Sequence, residues 1–261
     1  MRSEDTSLPA LFSPDLESRA PGETVRLDRE EARHVRALRL ADGAEVALID
    51  GRGRRVRARL GTEDVGGRDV VLLGPLPVPA PLPVELCPAV GGKAHMLWLV
   101  EKATEVGVTA IQPLETRRSR SVADAARTAS FWDKAGRRAT AALKQSGGGW
   151  LPRFGPVREL ETFLAGVADD EVGSLLLDRD GPPLGAVLAD WDGRRALRLL
   201  CGPEGGLDPE ERAACRAARV RPARLGPTTL RFETAALAAL AVVSDLRERV
   251  TDVNRADGEE E

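Results

Sequence analysis

With 261 residues, 42% of them apolar and 30% charged, the chain can bury a sizeable core in one large or two smaller domains and lies outside the disordered class. Its net charge of −3 argues against a general polyanion binder, and Cys87, Cys201 and Cys215 are too few and too scattered for a disulfide framework or, with His34 or His95, for zinc-ligand spacing. No apolar run is long enough to span a membrane and Met1 to Ala10 lacks the pattern of a signal peptide, so the expectation is a cytoplasmic protein with reduced thiols, no metal and no membrane partner.

The first elements read as short strands with one helix. Thr24–Leu27 is strand-like, Asp28 is placed to cap a helix from Arg29 to Leu38, and Ala44–Ile49 starts another strand. Asp50-Gly51 signals a turn, Arg54–Leu60 a half-exposed strand and Val70–Leu73 a further one, which together predict a small β-barrel over residues 1–75. Side chains repeat every two residues along a strand, so Arg55, Arg57 and Arg59 share a face and predict a basic stripe. Pro75, Pro77, Pro79, Pro81, Pro83 and Pro88 rule out a helix and predict an extended connector near residues 76–83.

Beyond the connector, strands and helices alternate. Val84–Cys87 predicts a strand, Ala94–Val106 a helix ended by Gly107, Thr109–Leu114 a strand, and residues from about Ala125 to Lys144 a long helix before the break at Gly147, Gly148 and Gly149. Ser174–Leu177 and Ala196–Cys201 are short apolar runs of the kind found in strands buried on both faces; helices near Asp208–Ala218 and Phe232–Arg249 follow. The pattern predicts an α/β domain with a largely parallel sheet over 84–250 and an acidic, flexible tail over 251–261.

Charge is unevenly spread. Residues 93–153 hold eleven basic against five acidic side chains, whereas 154–261 hold fourteen against twenty-one. Five arginines fall between Arg52 and Arg59 with no acid among them. Clusters of this kind suit phosphate backbones, although an arginine-rich solvated surface has the same appearance; two of them in one chain favour RNA or DNA.

Two motifs carry most of the chemistry. Leu199-Leu200-Cys201-Gly202-Pro203-Glu204-Gly205-Gly206 is a buried strand opening into a glycine-rich turn, followed by Asp208, Pro209 and Glu211 in a capping-box pattern. Ligands bind at such strand ends, yet the spacing is neither a dinucleotide fingerprint nor a phosphate-binding P-loop, and an ordinary tight turn reads the same way. The second motif runs from Leu225-Gly226 through Leu230-Arg231 to Glu233-Thr234-Ala235. Glu233 suits the positive end of the following helix, whereas Arg231 opposes it, as a cation with a task beyond helix stability or as a surface partner of Glu204 or Glu233. His34 reads as a packed or capping residue, His95 as surface, Cys201 as core, and Trp98 and Trp150 as covers of the sheet.

These motifs, together with Gly92-Lys93, the run Val100 to Val108, Ile111 to Leu114, Arg118-Ser119, Gln145-Ser146 and Glu31 to Arg39, resemble in order and spacing the bacterial 16S ribosomal RNA uracil-N3 methyltransferases of the SPOUT superfamily. The resemblance spans roughly residues 22–248 and rests on the combination, since each block alone is weak. It implies a PUA-like N-terminal barrel, a trefoil-knotted C-terminal α/β domain, S-adenosylmethionine as cofactor, a homodimer, and the 16S rRNA of the small ribosomal subunit as substrate. Leu200, Cys201, Gly202, Pro203, Glu204, Gly205 and Gly206 would then hold the cofactor with Leu225, Gly226, Thr229, Leu230, Thr234 and Ala235.

In that reading Arg231 steadies an ionised uracil, Glu233 or Glu204 takes its proton, and RNA contacts fall to Lys93, Lys102, Arg117, Arg118 and the Arg55, Arg57, Arg59 stripe. The chain departs from the family pattern at Lys144, where an acid is usual, and at Gly147–Gly149, where an arginine commonly follows the Gln-Ser pair. A non-catalytic RNA-binding or ribosome-assembly protein on the same fold, and a SPOUT methyltransferase acting on another RNA or atom, are the competing readings.

Overall fold

Alternating burial along short apolar segments builds a five-stranded sheet from the first part of the chain. The structure is a computed structural model that describes residues 8–64, 67–119, 123–124, 126–167 and 172–258, with the backbone alone for 251–258. Strands β1 (Ala10–Phe12), β2 (Thr24–Leu27), β3 (Glu45–Ile49), β4 (Arg55–Asp64) and β5 (Gly67–Pro75) lie in the order β1-β3-β4-β5-β2, antiparallel except for β1 and β3. Helix α1 (Arg29–Ala37) starts where Asp28 accepts from the Glu31 amide at 2.8 Å, and it buries Val35 against Val25, Val46, Leu60 and Leu72.

Contacts within the structure divide the chain into Met1–Pro81 with Thr140–Leu151 and, as a second unit, Leu82–Ala139 with Pro152–Glu261. Residues 140–151 rejoin the first unit because Leu143 is fully buried with Ala10 and Ile49, and because the amides of Gly53 and Leu151 donate to the carbonyls of Gly149 and Gly51, each at 2.8 Å. Lys144 forms an ion pair with the buried Glu31 at 2.5 Å. Removing either partner would strand a charge away from water, at about 3–5 kcal/mol. Gly149 lies so close to Val78 that an added Cβ would sit 2.3 Å from its Cγ1.

The basic stripe is different from what its spacing predicts. Arg55, in register with Ile49 of the buried end of β3, is only 3% exposed. Arg57 and Arg59 do reach solvent, but Glu45 on the neighbouring strand binds them at 3.1 and 3.4 Å. Arg54 turns its guanidinium onto the carbonyls of Leu16, Glu17 and Arg19.

In the second unit β6 (Leu82–Pro88), α2 (Lys93–Val106), β7 (Val108–Ile111), β8 (Leu114–Glu115), α3 (Ala129–Ser146), β9 (Arg153–Phe154), β10 (Arg158–Glu159) and α4 (Leu160–Val167) follow in turn; α3 continues into the first unit. Then come β11 (Gly173–Leu177), α5 (Leu184–Val187), β12 (Leu197–Cys201), α6 (Pro209–Ala217), β13 (Arg221–Ala223) and α7 (Phe232–Gly258). Ala125, the expected start of the long helix, lies outside the described residues, as do 259–261 of the expected tail; α7 itself continues to Gly258.

The main sheet is wholly parallel, in the order β13-β11-β12-β6-β7-β9, and β8 pairs with β10 beside it. Strand β6 begins two residues earlier than predicted and takes in Pro83, where the pairing with β7 is irregular; a proline has no amide to offer the ladder. Helices α4 and α6 pack together, burying Phe163, Leu164 and Cys215 in the same core as Leu176 and Leu200. Helices α2 and α7 pack on each other, and α7 also meets β6 and β12, with Leu99, Val100, Ala239 and Leu240 fully buried. Among the described residues no helix is long and apolar enough to cross a membrane.

Candidate functional site

Parallel sheets leave their ligand sites at the carboxyl ends of the strands, where loops replace the hydrogen-bond ladder. Here β11, β12 and β13 end side by side, and the loops that leave them enclose a cavity of about 340 Å³. The loop after β12 supplies Gly202 to Leu207, and the loop after β13 supplies Arg224, Leu225, Gly226, Thr228, Thr229 and Leu230, with Phe232 and Ala235 from the start of α7. The two sequence motifs are therefore opposite walls of one cavity. A volume of this size is in the ordinary range for a small-molecule site, about 300–1,000 Å³.

The first loop is held from several directions. The Gly206 amide donates to the Pro203 carbonyl at 2.7 Å, closing a turn in which Gly206 has φ of +69°, a left-handed conformation that suits glycine. Asp208 accepts from the Glu211 amide at 2.8 Å while Glu211 accepts from the Asp208 amide at 2.9 Å, the reciprocal cap expected from the sequence. Donation from the Glu211 amide, reinforced by Arg117, holds the Asp208 carboxyl below the usual carboxylate range. Arg118 donates to the Gly205 carbonyl, and Arg117 lies between Asp208 at 3.1 Å and Glu210 at 2.5 Å.

The second loop is more open. Thr228, Thr229 and Leu230 are exposed, and a Cβ at Gly226 would meet no protein atom within 4 Å, so this stretch leaves room where the first loop is packed. Arg231 is exposed between the cavity-lining Leu230 and Phe232 and forms no ion pair with Glu204 or Glu233 among the described residues. Glu233, by contrast, is 8% exposed, and its Oε2 has no hydrogen-bond partner among the described residues. Beside it is His95, whose Nδ1 stands 3.8 Å from Glu204 Oε1 and whose ring is 6.3 Å from that of Phe232. One polar atom each from His95, Glu204 and Glu233 fall within 4.8 Å of one another.

Of the residues singled out in the two motifs, Cys201 to Gly206, Leu225, Gly226, Thr229, Leu230 and Ala235 line the cavity. Leu200 is buried behind the loop and Thr234 is exposed outside the lining. Burial pushes the Cys201 thiol up to about 12, so it is no nucleophile. Of the expected RNA contacts, Lys93 is exposed at the start of α2, Lys102 pairs with Glu101 and Glu105 at 3.0 and 2.7 Å, and Arg117 and Arg118 are engaged by the first loop. Trp98 and Trp150, expected to cover the sheet, are 40% and 37% exposed.

Sequence reasoning missed the wall given by Leu176, Leu177, Asp178 and Arg179, although Leu177-Asp178 closes an apolar strand just as Cys201-Gly202 does. It also missed Arg212, which lines the cavity and reaches Asp178 and Asp180, each at 3.3 Å. His95 had no local signal at all, because its partners are far away along the chain.

Residues 78–244 match the RNA methyltransferase domain, and residues 27–64 match the RNA methyltransferase PUA domain. The chain belongs to the RNA methyltransferase family. Within this family it is 31% identical over 228 residues to the ribosomal RNA small subunit methyltransferase E of Synechocystis, covering 86% of this chain and 74% of that one. It is 30% identical to the protein of the same name from Mycobacterium bovis, covering 87% and 88%.

Among solved structures of RNA methyltransferases, that of the Neisseria gonorrhoeae small subunit methyltransferase E bound to S-adenosyl methionine superposes with a TM-score of 0.82 at 27% identity, covering 92% of this chain and 98% of that one. A Legionella pneumophila putative methyltransferase in complex with the same cofactor gives 0.78 at 26% identity, covering 92% and 98%. The α/β methyltransferase architecture with a PUA-like first unit, implied by the resemblance, is the architecture of this chain.

Proposed function

We propose that the chain is an S-adenosylmethionine-dependent methyltransferase that modifies N3 of a uridine in the 16S rRNA of the small ribosomal subunit. The observation that carries this reading is the single cavity walled by the Cys201–Gly206 and Leu225–Leu230 loops, in a chain whose relatives are named for that RNA and whose structural neighbours hold that cofactor.

The residues present fit such a cofactor. The apolar wall of Leu176, Ala223, Leu225 and Leu230 suits a flat heterocycle, the glycines at 202, 205, 206 and 226 keep side chains out of its way, and Glu204 brings negative charge to the rim. When bound, the cofactor supplies an electrophilic methyl group on a sulfonium. The protein's own contribution is mostly positional, since the displacement needs the donor and the base in line.

N3 of uracil carries a proton, and its lone pair becomes a good nucleophile once that proton is gone. Arg231 steadies the negative charge that spreads to the uracil oxygens, a role supported by its exposure between the cavity-lining Leu230 and Phe232. Glu233 or Glu204 takes the proton; the partnerless Oε2 favours Glu233. Because N3 lies on the pairing edge of the base, the uridine must be presented unpaired or swung out of its stack.

The first unit, residues 1–75 in the sequence division, serves as the RNA-binding barrel through the half-buried Arg57 and the exposed Arg59. The chain works in the cytoplasm as a homodimer with a trefoil-knotted second domain, as the family resemblance implies. Incubating the purified chain with labelled cofactor and small-subunit rRNA, then resolving the nucleosides by mass spectrometry, tests the reading. The expected product is N3-methyluridine at one position; methylation of another atom or another RNA would point to a different member of the superfamily, and cofactor-independent RNA binding alone to an assembly protein.

A further inference from the structure

We propose that His95 is the outlet for the proton released from the substrate base, passing it from the buried Glu233 to solvent under the influence of Glu204. The idea rests on the methyl-transfer reading and extends it to a residue that the sequence marks as ordinary surface.

The proton's first stop is Glu233. A carboxylate in the first turn of α7 benefits from the helix dipole, but burial to 8% exposure takes it from water, and its Oε2 meets no donor among the described residues. A buried acceptor with a free lone pair is costly unless a ligand completes it, and the N3–H of a uracil in the adjoining cavity is such a donor. Having accepted the proton, Glu233 must lose it before the next turnover. Its Oε2 is sealed from solvent, so a proton held on that atom needs a relay to reach water.

His95 provides the exit. It stands in the first turn of α2, its side chain is 43% exposed, and a polar atom of it lies within 4.8 Å of the buried carboxylate. The groups that face it are Glu204 from the loop after β12 and, from α7, Glu233 and the Phe232 ring. With the three polar atoms inside 4.8 Å, transfer needs one bridging water or a small side-chain rotation. Glu204 Oε1 stands 3.8 Å from Nδ1 on the solvent side of this path.

The balance is simple. The N3–H bond breaks and its electron pair stays on N3; that pair forms the N–C bond as the S–C bond breaks and leaves its pair on sulfur. The proton goes to Glu233, then to His95, then to water. His95 acts through Glu233 and is a positioning and relay residue rather than one that touches the substrate.

The test uses the full chain with cofactor and small-subunit rRNA. His95→Ala is expected to lower kcat by at least about tenfold with KM for both substrates little changed, to alter the pH profile of the rate, and to recover rate when free imidazole is added. His95→Lys keeps a cation beside Glu204 but should not restore the neutral-pH rate.

An unchanged kcat and pH profile in His95→Ala would overturn the proposal, as would a defect confined to KM. So would activity that is abolished by a chelator and restored by a divalent cation, since one imidazole and two carboxylates can also ligate a metal. If the wild-type chain itself makes no methylated uridine, the methyl-transfer reading fails instead, and the two failures are told apart by that control.

Discussion

The two loops that face each other across the cavity are built in opposite ways. The loop of Gly202 to Leu207 is tied down by a left-handed glycine, a reciprocal helix cap and two arginines, whereas the loop of Leu225 to Arg231 exposes Thr228, Thr229, Leu230 and Arg231. A rigid wall and a freer one suit different tasks. The first can hold a small molecule in a fixed pose, since its backbone loses little freedom on binding; the second can adapt to a nucleotide arriving from a large RNA.

The largest effects should separate those tasks. Arg231→Ala is expected to lower methyl transfer by about a hundredfold or more while leaving cofactor affinity nearly unchanged, because the lost group acts on charge that develops in the reaction. Gly205→Leu should do the reverse at the binding step: even a Cβ there would approach Arg118 Cδ to 3.2 Å, so a branched side chain must displace the arginine that fixes the loop or enter the cavity. Calorimetry with cofactor alone, set against single-turnover rates, distinguishes the two. Equal losses of cofactor affinity in both variants would mean that the loops do not divide the work.

A smaller effect is expected at the cap behind the rigid wall. Asp208→Ala should lower the melting temperature, because the first-turn amide of Glu211 loses its cap. The carboxyl of Asp208 is held below its ordinary value in the folded chain, so its contribution is present above the unfolded value of about 3.9 and is lost as pH falls through the folded one. Wild type and variant should therefore converge in melting temperature as the pH falls through the folded value. A constant gap across that range would show that the cap acts through packing rather than charge.

The smallest effect belongs to the first unit. Arg57→Ser with Arg59→Ser should weaken RNA binding by several-fold and reduce the slope of affinity against salt by roughly one to two counterions, since Glu45 already holds part of their charge. Glu45→Gln alone, with both arginines kept, should instead strengthen binding relative to wild type. If neither change moves the salt slope in filter-binding measurements, the β4 face is not an RNA contact.

Arg55 belongs in the same comparison, because it shows where strand periodicity stops being informative. Alternation along β4 correctly puts Arg55, Arg57 and Arg59 on one face, yet which end of that face is covered depends on the neighbouring strand, where Arg55 is in register with Ile49 of the buried end of β3. The same holds for residues 140–151. Their Gly-rich end reads as a plain break, and the attachment to the first unit is made by a leucine and a lysine that look unexceptional in a helix.

What the sequence determined unaided was local. The Asp28 and Asp208 caps, the helix end at Gly107, the buried parallel strands and the two loop motifs each depend on residues within a few positions of one another, and short-range hydrogen bonding and apolar period are written directly in the residue order. The tertiary structure alone decided that β11, β12 and β13 end together, that Asp178 and Arg212 join the cavity wall, and that His95 meets Glu204 and Glu233. Those meetings follow from strand order and helix packing, which bring distant stretches of chain together without leaving any trace in the spacing of the residues that meet.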